Sequence, residues 1–263
     1  MIYLQYNYKV SGLKRRFHLT DNLNSKLIKH NYHITDSFST KIITDKTFHI
    51  LAPFKILSNM LIKIYPDSPS PKQISKVVDV FEHGGLVVFP TDTIYGLGCG
   101  IEHIKAVSRI AMIKGIKKDQ ANFSMIINNL SMLADYTKPF ENHIFRLMRK
   151  NLPGPFTFIL TANSSIPKIF QSKKKTIGIR MPDNNIINTI IDELGTPIIT
   201  TSIRDEDEVI EYTTDPELIH EKYIDLVDIV IDGGYGDNEA STIVDCTSGE
   251  PVILRQGKGI LEE

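Results

Sequence analysis

An α/β fold, with a twisted, largely mixed open sheet and helices laid on it, is predicted by three features of the chain. From Met60 onward, short apolar or β-branched runs alternate with amphipathic stretches. Some of those runs are apolar throughout, as strands buried on both faces are. Glycine or proline closes many of the segments, as boundaries between elements require.

The elements follow in order. LIKIYP (61–66) reads as a strand. Ser70 then offers an N-cap and Pro71 an N1 residue to a helix that carries Ile74, Val77, Val78 and Phe81 on one face and stops at Gly84 and Gly85. LVVFP (86–90) is a strand ended by proline. The next helix holds Ile104, Val107, Ile110, Ala111 and Lys114, and Gly115 ends it. Strands FSMII (123–127), FTFIL (156–160), TIGIRM (176–181) and PIITT (197–201) follow, with helices at 141–151 and at 184–194, the latter closed by Gly195. A helix at 215–222 and strands at 226–231, 242–246 and 251–255 complete the pattern. Residues 202–214, with Asp205, Glu206, Asp207, Glu208 and Glu211, read as a solvated loop.

Composition narrows the function classes. At 263 residues and 41% hydrophobic content, the chain can bury a sizeable core, which excludes a collagen-like or wholly disordered protein. No apolar run approaches the roughly 18 residues of a membrane span, and the N-terminus lacks the features of a signal peptide, so a cytoplasmic location away from membranes is expected. Cys99 and Cys246 are the only cysteines and neither lies in a CxxC pair, which excludes a disulfide framework or an all-cysteine zinc site. Cys99 near His103 reads as a small buried residue beside a helical histidine, and no metal site is expected.

The formal net charge of −1 hides an asymmetry. Residues 1–59 carry nine Lys or Arg against three Asp or Glu, a balance of +6, along with four of the eight His. The other 21 basic and 28 acidic residues leave 60–263 at −7. The first segment shows no sustained period of 3.6 or 2 and is read as an unassigned N-terminal extension, such as a misplaced start codon would add. A chain starting at Met60 is then expected to fold and melt like the full chain; a large fall in melting temperature on truncation would contradict this.

Several segments could carry chemistry. FPTDTIYGLGCG (89–100) leaves a strand and turns through Thr91, Asp92, Thr93, Tyr95 and three glycines, where hydroxyls and bare backbone suit a polar ligand; a tight glycine-rich turn explains it equally well. Lys114, Lys117 and Lys118 stand at a helix end, where they complement the macrodipole with or without a phosphate. NLPGPFTFIL places Thr157 just after a rigid PGP turn. Arg180, in GIRMPD, sits among apolar neighbours and must be paired or bind an anion. TTSIR ends a strand with Ser202, ASTIVD starts one with Ser241, and PVILRQGKG puts Arg255 before a glycine turn. Hydroxyls at three strand ends and arginines at two make an anionic-ligand pocket plausible.

Taken in order, LVVFPTDTIYGLG, IKGIKK, LPGPFTFIL, IGIRMPDN, PIITTS, STIVD and ILRQGKG strongly resemble the YrdC/YciO family, over about Met60 to Ile260. The resemblance implies a sheet twisted around a large concave cavity and a reaction joining threonine, bicarbonate and ATP into threonylcarbamoyl-AMP and pyrophosphate, for threonylcarbamoyladenosine in transfer RNA. Magnesium would accompany ATP, with no tightly bound cofactor. It further implies that Thr91 and Tyr95 shape the threonine side, that Thr157, Arg180 and Ser241 line the cavity, and that Lys114 and Ser202 are catalytic. Lys114, Lys117, Ser202, Arg204 and Arg255 would serve ATP or AMP.

Two departures stand out. Synthases of this family carry KxR and SxN; here those positions read Lys114-Gly115-Ile116 and Ser202-Ile203-Arg204, a pattern closer to the YciO branch. Losing a bidentate phosphate fork removes about 2 kcal/mol, part of which Lys117, Lys118 or Arg204 can replace. An RNA-binding or regulatory module of the same fold, with double-stranded RNA as partner, is the alternative expectation.

Overall fold

The computed structural model describes residues 4–10, 13–19, 60–115, 123–167, 170, 175–203 and 211–262. The chain forms two compact units, 1–56 and 57–263. In the first, β1 (Leu4–Val10) pairs antiparallel with β2 (Leu13–Leu19), from Leu4 opposite Leu19 to Val10 opposite Leu13. The expectation of an aperiodic segment is corrected here: Leu4, Tyr6, Tyr8 and Val10 alternate with polar residues, the period of a strand.

The second unit is built on β3 (Met60–Lys63), β4 (Val87–Phe89), β5 (Gly96–Gly100), β6 (Ser124–Ile126), β7 (Phe156–Thr161), β8 (Thr176–Arg180), β9 (Ile198–Ser202), β10 (Ile229–Asp232), β11 (Thr242–Asp245) and β12 (Val252–Arg255). They form one mixed sheet in the order β12-β11-β7-β8-β6-β9-β5-β4-β10-β3. Its helices are α1 (Pro71–Glu82), α2 (Ile104–Ile113), α3 (Leu133–Tyr136), α4 (Asn142–Asn151), α5 (Asn185–Leu194), α6 (Glu211–Thr214) and α7 (Pro216–Tyr223).

Local chemistry sets the helix ends. Asn184 Oδ1 accepts from the amides of Ile186 and Ile187, and Gly195, at φ 71°, supplies the left-handed residue that closes α5. Asp215 caps α7 in the same way through the amide of Glu217. Ser70 does occupy the N-cap of α1, but its side chain makes no capping hydrogen bond.

Two structural differences from the sequence reading concern the segments around 96–100 and 202–214. The glycines expected in a turn form β5, paired antiparallel with β4 and β9. Glycine is required there because a Cβ on Gly98 would lie 2.7 Å from the Ile199 carbonyl oxygen, and one on Gly96 2.8 Å from the Phe89 ring. The acidic stretch read as loop ends in α6, while 204–210 lie outside the described residues.

The core explains where a site can form. On one face, α1 and α5 bury Ile74, Val77, Phe81, Ile187 and Ile190 against Ile62, Val87, Phe89, Ile198 and Ile231. On the other, residues of α2, α4 and α7 pack on Val88, Leu97, Met125, Phe158, Ile179 and Val230. Adjacent residues such as Val87 and Val88, or Ile198 and Ile199, thus serve opposite cores, which accounts for the uninterrupted apolar runs. Among the described residues, the α1/α5 cluster reaches only as far as β6. Beyond it, the same sheet face carries Ser124, Gly178 and Thr157, with Ser241 just before β11.

Candidate functional site

Small side chains line that uncovered part of the face. Ser124 stands opposite Gly178, and a Cβ on Gly178 would lie 2.8 Å from Thr157 Cγ2 and 2.9 Å from Ser124 Oγ. Thr157 Oγ1 and Ser241 Oγ are 2.8 Å apart, both residues buried. Arg255, on edge strand β12, donates through Nε and Nη2 to the Ser241 carbonyl at 3.2 and 2.7 Å. Thr157, Ser241 and Arg255 therefore meet, although almost a hundred residues separate the first from the last.

Arg180, at the end of β8, is the most confined charge. It is 7% exposed, and its Nη2 donates to Asp92 Oδ1 at 3.0 Å and Thr93 Oγ1 at 2.7 Å. Asp92 Oδ2 accepts from the amide of Asp183, and the Asp92 carbonyl from Lys258 Nζ at 2.8 Å. Burial pulls the guanidinium below its ordinary pKa; Asp92 opposes that shift and nearby Arg255 adds to it. Burial also raises the Asp92 carboxyl, outweighing the pull of Arg180. Arg180 Nε, buried, meets no acceptor among the described residues. Two guanidiniums held near one another are the kind of grouping that can meet an anion.

Thr91 and Tyr95 shape this corner differently. Thr91 Oγ1 donates to the Ile94 carbonyl and accepts from the Thr93 amide, folding the turn that presents Asp92 and Thr93. Tyr95 is fully buried; its hydroxyl donates to the Gly234 carbonyl at 2.7 Å and accepts from the Gly233 amide at 3.2 Å. These two bonds tie it to the loop at 233–234.

Lys114 and Ser202 share another strand end. Lys114 caps α2, and its Nζ lies 3.4 Å from the Ile203 carbonyl, next to exposed Ser202 at the end of β9. Lys117 and Arg204, with Ile116, lie outside the described residues.

Two adjoining pockets open here. One, of about 520 Å³, is lined by Thr91, Asp92, Tyr235, Asp237 and Lys258 among others; the second, of about 360 Å³, by Glu239, Arg255 and Gln256, with Asn238 common to both. Within the larger pocket Lys258 bonds Asp237 Oδ2 at 2.7 Å as well as the Asp92 carbonyl. Asp92, Thr93, Tyr235 and Lys258 were not singled out as site residues from the sequence; the sole hint was that Asp92, Thr93 and Lys258 fall inside segments already marked by glycine and hydroxyls. Among the described residues no cluster of three His, Cys, Asp or Glu could hold a metal ion, and no helix is long and apolar enough to cross a membrane.

Known proteins resemble this chain in sequence and in fold. Residues 79–257 match the Sua5/YciO/YrdC family model, whose description is telomere recombination. YciO of Escherichia coli K12 is 39% identical over 198 residues, 74% of this chain and 94% of that protein. The crystal structure of E. coli YciO superposes with a TM-score of 0.72 at 37% identity, covering 78% of this chain and 98% of that one. The threonylcarbamoyl-AMP synthase of Bacillus subtilis 168 is 31% identical across 74% of this chain, which spans 56% of the synthase. P. abyssi Sua5, solved with L-threonine, gives a TM-score of 0.70 at 27% identity, covering 76% of this chain and 58% of that one.

Proposed function

The chain belongs to the Sua5/YciO/YrdC family, and from that premise we propose that it forms threonylcarbamoyl-AMP from ATP, bicarbonate and threonine, or acts on that adenylate. The observation that carries the reading is that Arg180, whose Nε meets no acceptor among the described residues, lies near Arg255, which bonds Ser241 of the Thr157–Ser241 pair. Threonine and bicarbonate combine to a carbamate with loss of water. Its carboxylate oxygen attacks the α-phosphorus of ATP, the bond to the bridging oxygen breaks, and pyrophosphate leaves with the electron pair. The protein's work in such a step is to hold the reactants in line and meet the growing negative charge with fixed cations.

On this reading Arg180 and Arg255 hold the carboxylate and phosphate oxygens, and Thr157 and Ser241 orient the carbamate. Lys114 and Ser202 stand at the nucleotide end of the cavity. Lys117 and Arg204 supply further charge in place of the fork absent at Ile116. Magnesium enters with ATP as part of the substrate, neutralising its phosphates. Support for threonine as the amino acid comes from P. abyssi Sua5, solved with L-threonine. The −7 balance of residues 60–263 favours a small anion in a pocket over a long RNA on the surface.

The test is direct. Pyrophosphate release is measured with ATP, magnesium and bicarbonate, with and without threonine, alongside hydrolysis of supplied threonylcarbamoyl-AMP. Threonine-dependent release, or consumption of the adenylate, is expected. Neither activity, together with salt-sensitive RNA binding, would replace the proposal with the RNA-binding reading.

A further inference from the structure

The larger pocket carries an exposed aromatic ring that the chemistry above does not use. Tyr235 is 81% exposed, yet it lines the pocket together with Thr91, Asp92 and Lys258. Exposed aromatic side chains are ordinarily mobile, but here the hydroxyl and the backbone on both sides are held. Its hydroxyl donates to Asp215 Oδ2 at 3.2 Å, and Asp215 is itself fixed as the N-cap of α7. The preceding residues are pinned by the Tyr95 hydroxyl, on the Gly233 amide and the Gly234 carbonyl. On the other side, the Gly236 amide donates to the Thr214 carbonyl at 2.8 Å and the Asp237 amide to the Thr93 carbonyl at 3.3 Å. A ring kept in water at the wall of a polar pocket leaves apolar area uncovered while its backbone is already ordered, the condition under which a flat ligand gains most by stacking.

The neighbours indicate what that flat ligand carries. Asp92 lines the Tyr235 pocket, where its carbonyl accepts from Lys258, and its carboxylate accepts from Arg180, so the guanidinium proposed to hold an anion stands directly behind the pocket wall. Asn238, shared by the two pockets, leads on to Arg255. A ligand with an aromatic base at one end and phosphate or carboxylate at the other matches this sequence of surfaces. We infer that Tyr235 is a stacking platform for the nucleobase of the nucleotide, and so a residue that positions the nucleoside while the arginines hold its anionic end. The inference rests on the nucleotide reading above and adds the subsite to which the base goes.

Calorimetry on the full chain separates the possibilities, with AMP as probe and ribose 5-phosphate as the matched ligand without a base. Tyr235→Ala is expected to weaken AMP about 5- to 150-fold, the range that one base–aromatic stack contributes, and to leave ribose 5-phosphate unchanged. Tyr235→Phe, which keeps the ring but loses the bond to Asp215, is expected to stay within about threefold of the wild type for AMP. Equal losses for AMP and ribose 5-phosphate in Tyr235→Ala would overturn the inference, because the ring would then be supporting the loop. So would a Tyr235→Phe defect as large as that of Tyr235→Ala, or AMP binding untouched by either change. If the wild-type protein binds neither AMP nor threonylcarbamoyl-AMP, the nucleotide reading and the stacking platform fall together; loss confined to the variants tests the platform alone.

Discussion

Removal of Asp92 exposes the energetics of the anion site. Asp92 and Arg180 are each 9% exposed at the side chain and 3.0 Å apart, so Asp92→Ala leaves a buried guanidinium without its carboxylate. Breaking one partner of a buried pair costs about 3–5 kcal/mol, and the Asp183 amide loses its acceptor as well. For a unit of about 200 residues that is a fall in Tm of roughly 6–20 °C. Burial pushes both groups toward neutrality, Asp92 upward and Arg180 downward, so the intact pair gains little over an apolar one. The Asp92→Ala/Arg180→Met double variant should therefore be closer to the wild type than Asp92→Ala alone. The sign for pH follows from the raised Asp92 carboxyl: its contribution is fully present below its ordinary 3.8 and is lost as pH rises through its folded value. In Arg180→Met, where no guanidinium opposes that shift, the loss with rising pH should be steeper. Urea midpoints at unchanged m values measure each quantity. A cost below about 1 kcal/mol for Asp92→Ala, or strict additivity in the double variant, would refute the reasoning.

Three other outcomes are expected. Gly178→Ala drives a Cβ into Thr157 Cγ2 and Ser124 Oγ, at 2.8 and 2.9 Å, so it should destabilise by about 1–3 kcal/mol and weaken threonine or adenylate binding; binding and stability both unchanged would show that Thr157 has room to move. Burial pushes the thiols of Cys99 and Cys246 up to about 12, so iodoacetamide at pH 8 should leave the native protein unlabelled and label both in urea. Their contribution to stability is whole below the ordinary value of 9 and lost as pH rises toward 12; rapid native labelling would contradict the burial that produces it. Ile116→Arg restores the fork of the synthase pattern and should raise threonine-dependent pyrophosphate release about tenfold or more, whereas an unchanged rate would mean that Ile116 does not limit the reaction.

Strands buried on both faces and capped helices were legible in the sequence for the same physical reason. Val87 and Val88 serve opposite cores, so β4 can be written only as an apolar run. Asn184 and Gly195 bracket α5 with one residue that caps and one that tolerates positive φ. β5 was not legible, since a strand of alternating glycines shows no side-chain period and carries the composition of a turn. Its glycines answer to the Phe89 ring and the Ile199 carbonyl, contacts that exist only after the sheet has formed. The hairpin of β1 and β2 did have a signal in Leu4, Tyr6, Tyr8 and Val10, which the basic, asparagine-rich surroundings obscured.

The candidate residues were legible as one pocket, but the contacts between them were not. Thr157, Arg180, Ser241 and Arg255 each stood out at a strand end, yet only the order β12-β11-β7-β8 brings them to one place. Asp92 was hidden for a different reason: a carboxylate in a threonine-rich turn reads as a local cap, and nothing short of the fold assigns it to an arginine 88 residues away. That assignment changes what the site can do. On the proposed reading, because Asp92 and Thr93 already hold Nη2 of Arg180, an anion at this corner must draw on Arg255 and Lys258 as well. The unit as a whole carries a −7 balance, so on that reading the anion depends on these few placed cations. A unit of net negative charge repels a long polyanion on average, whereas a single nucleotide needs only the cations within its own reach, and this favours the small ligand.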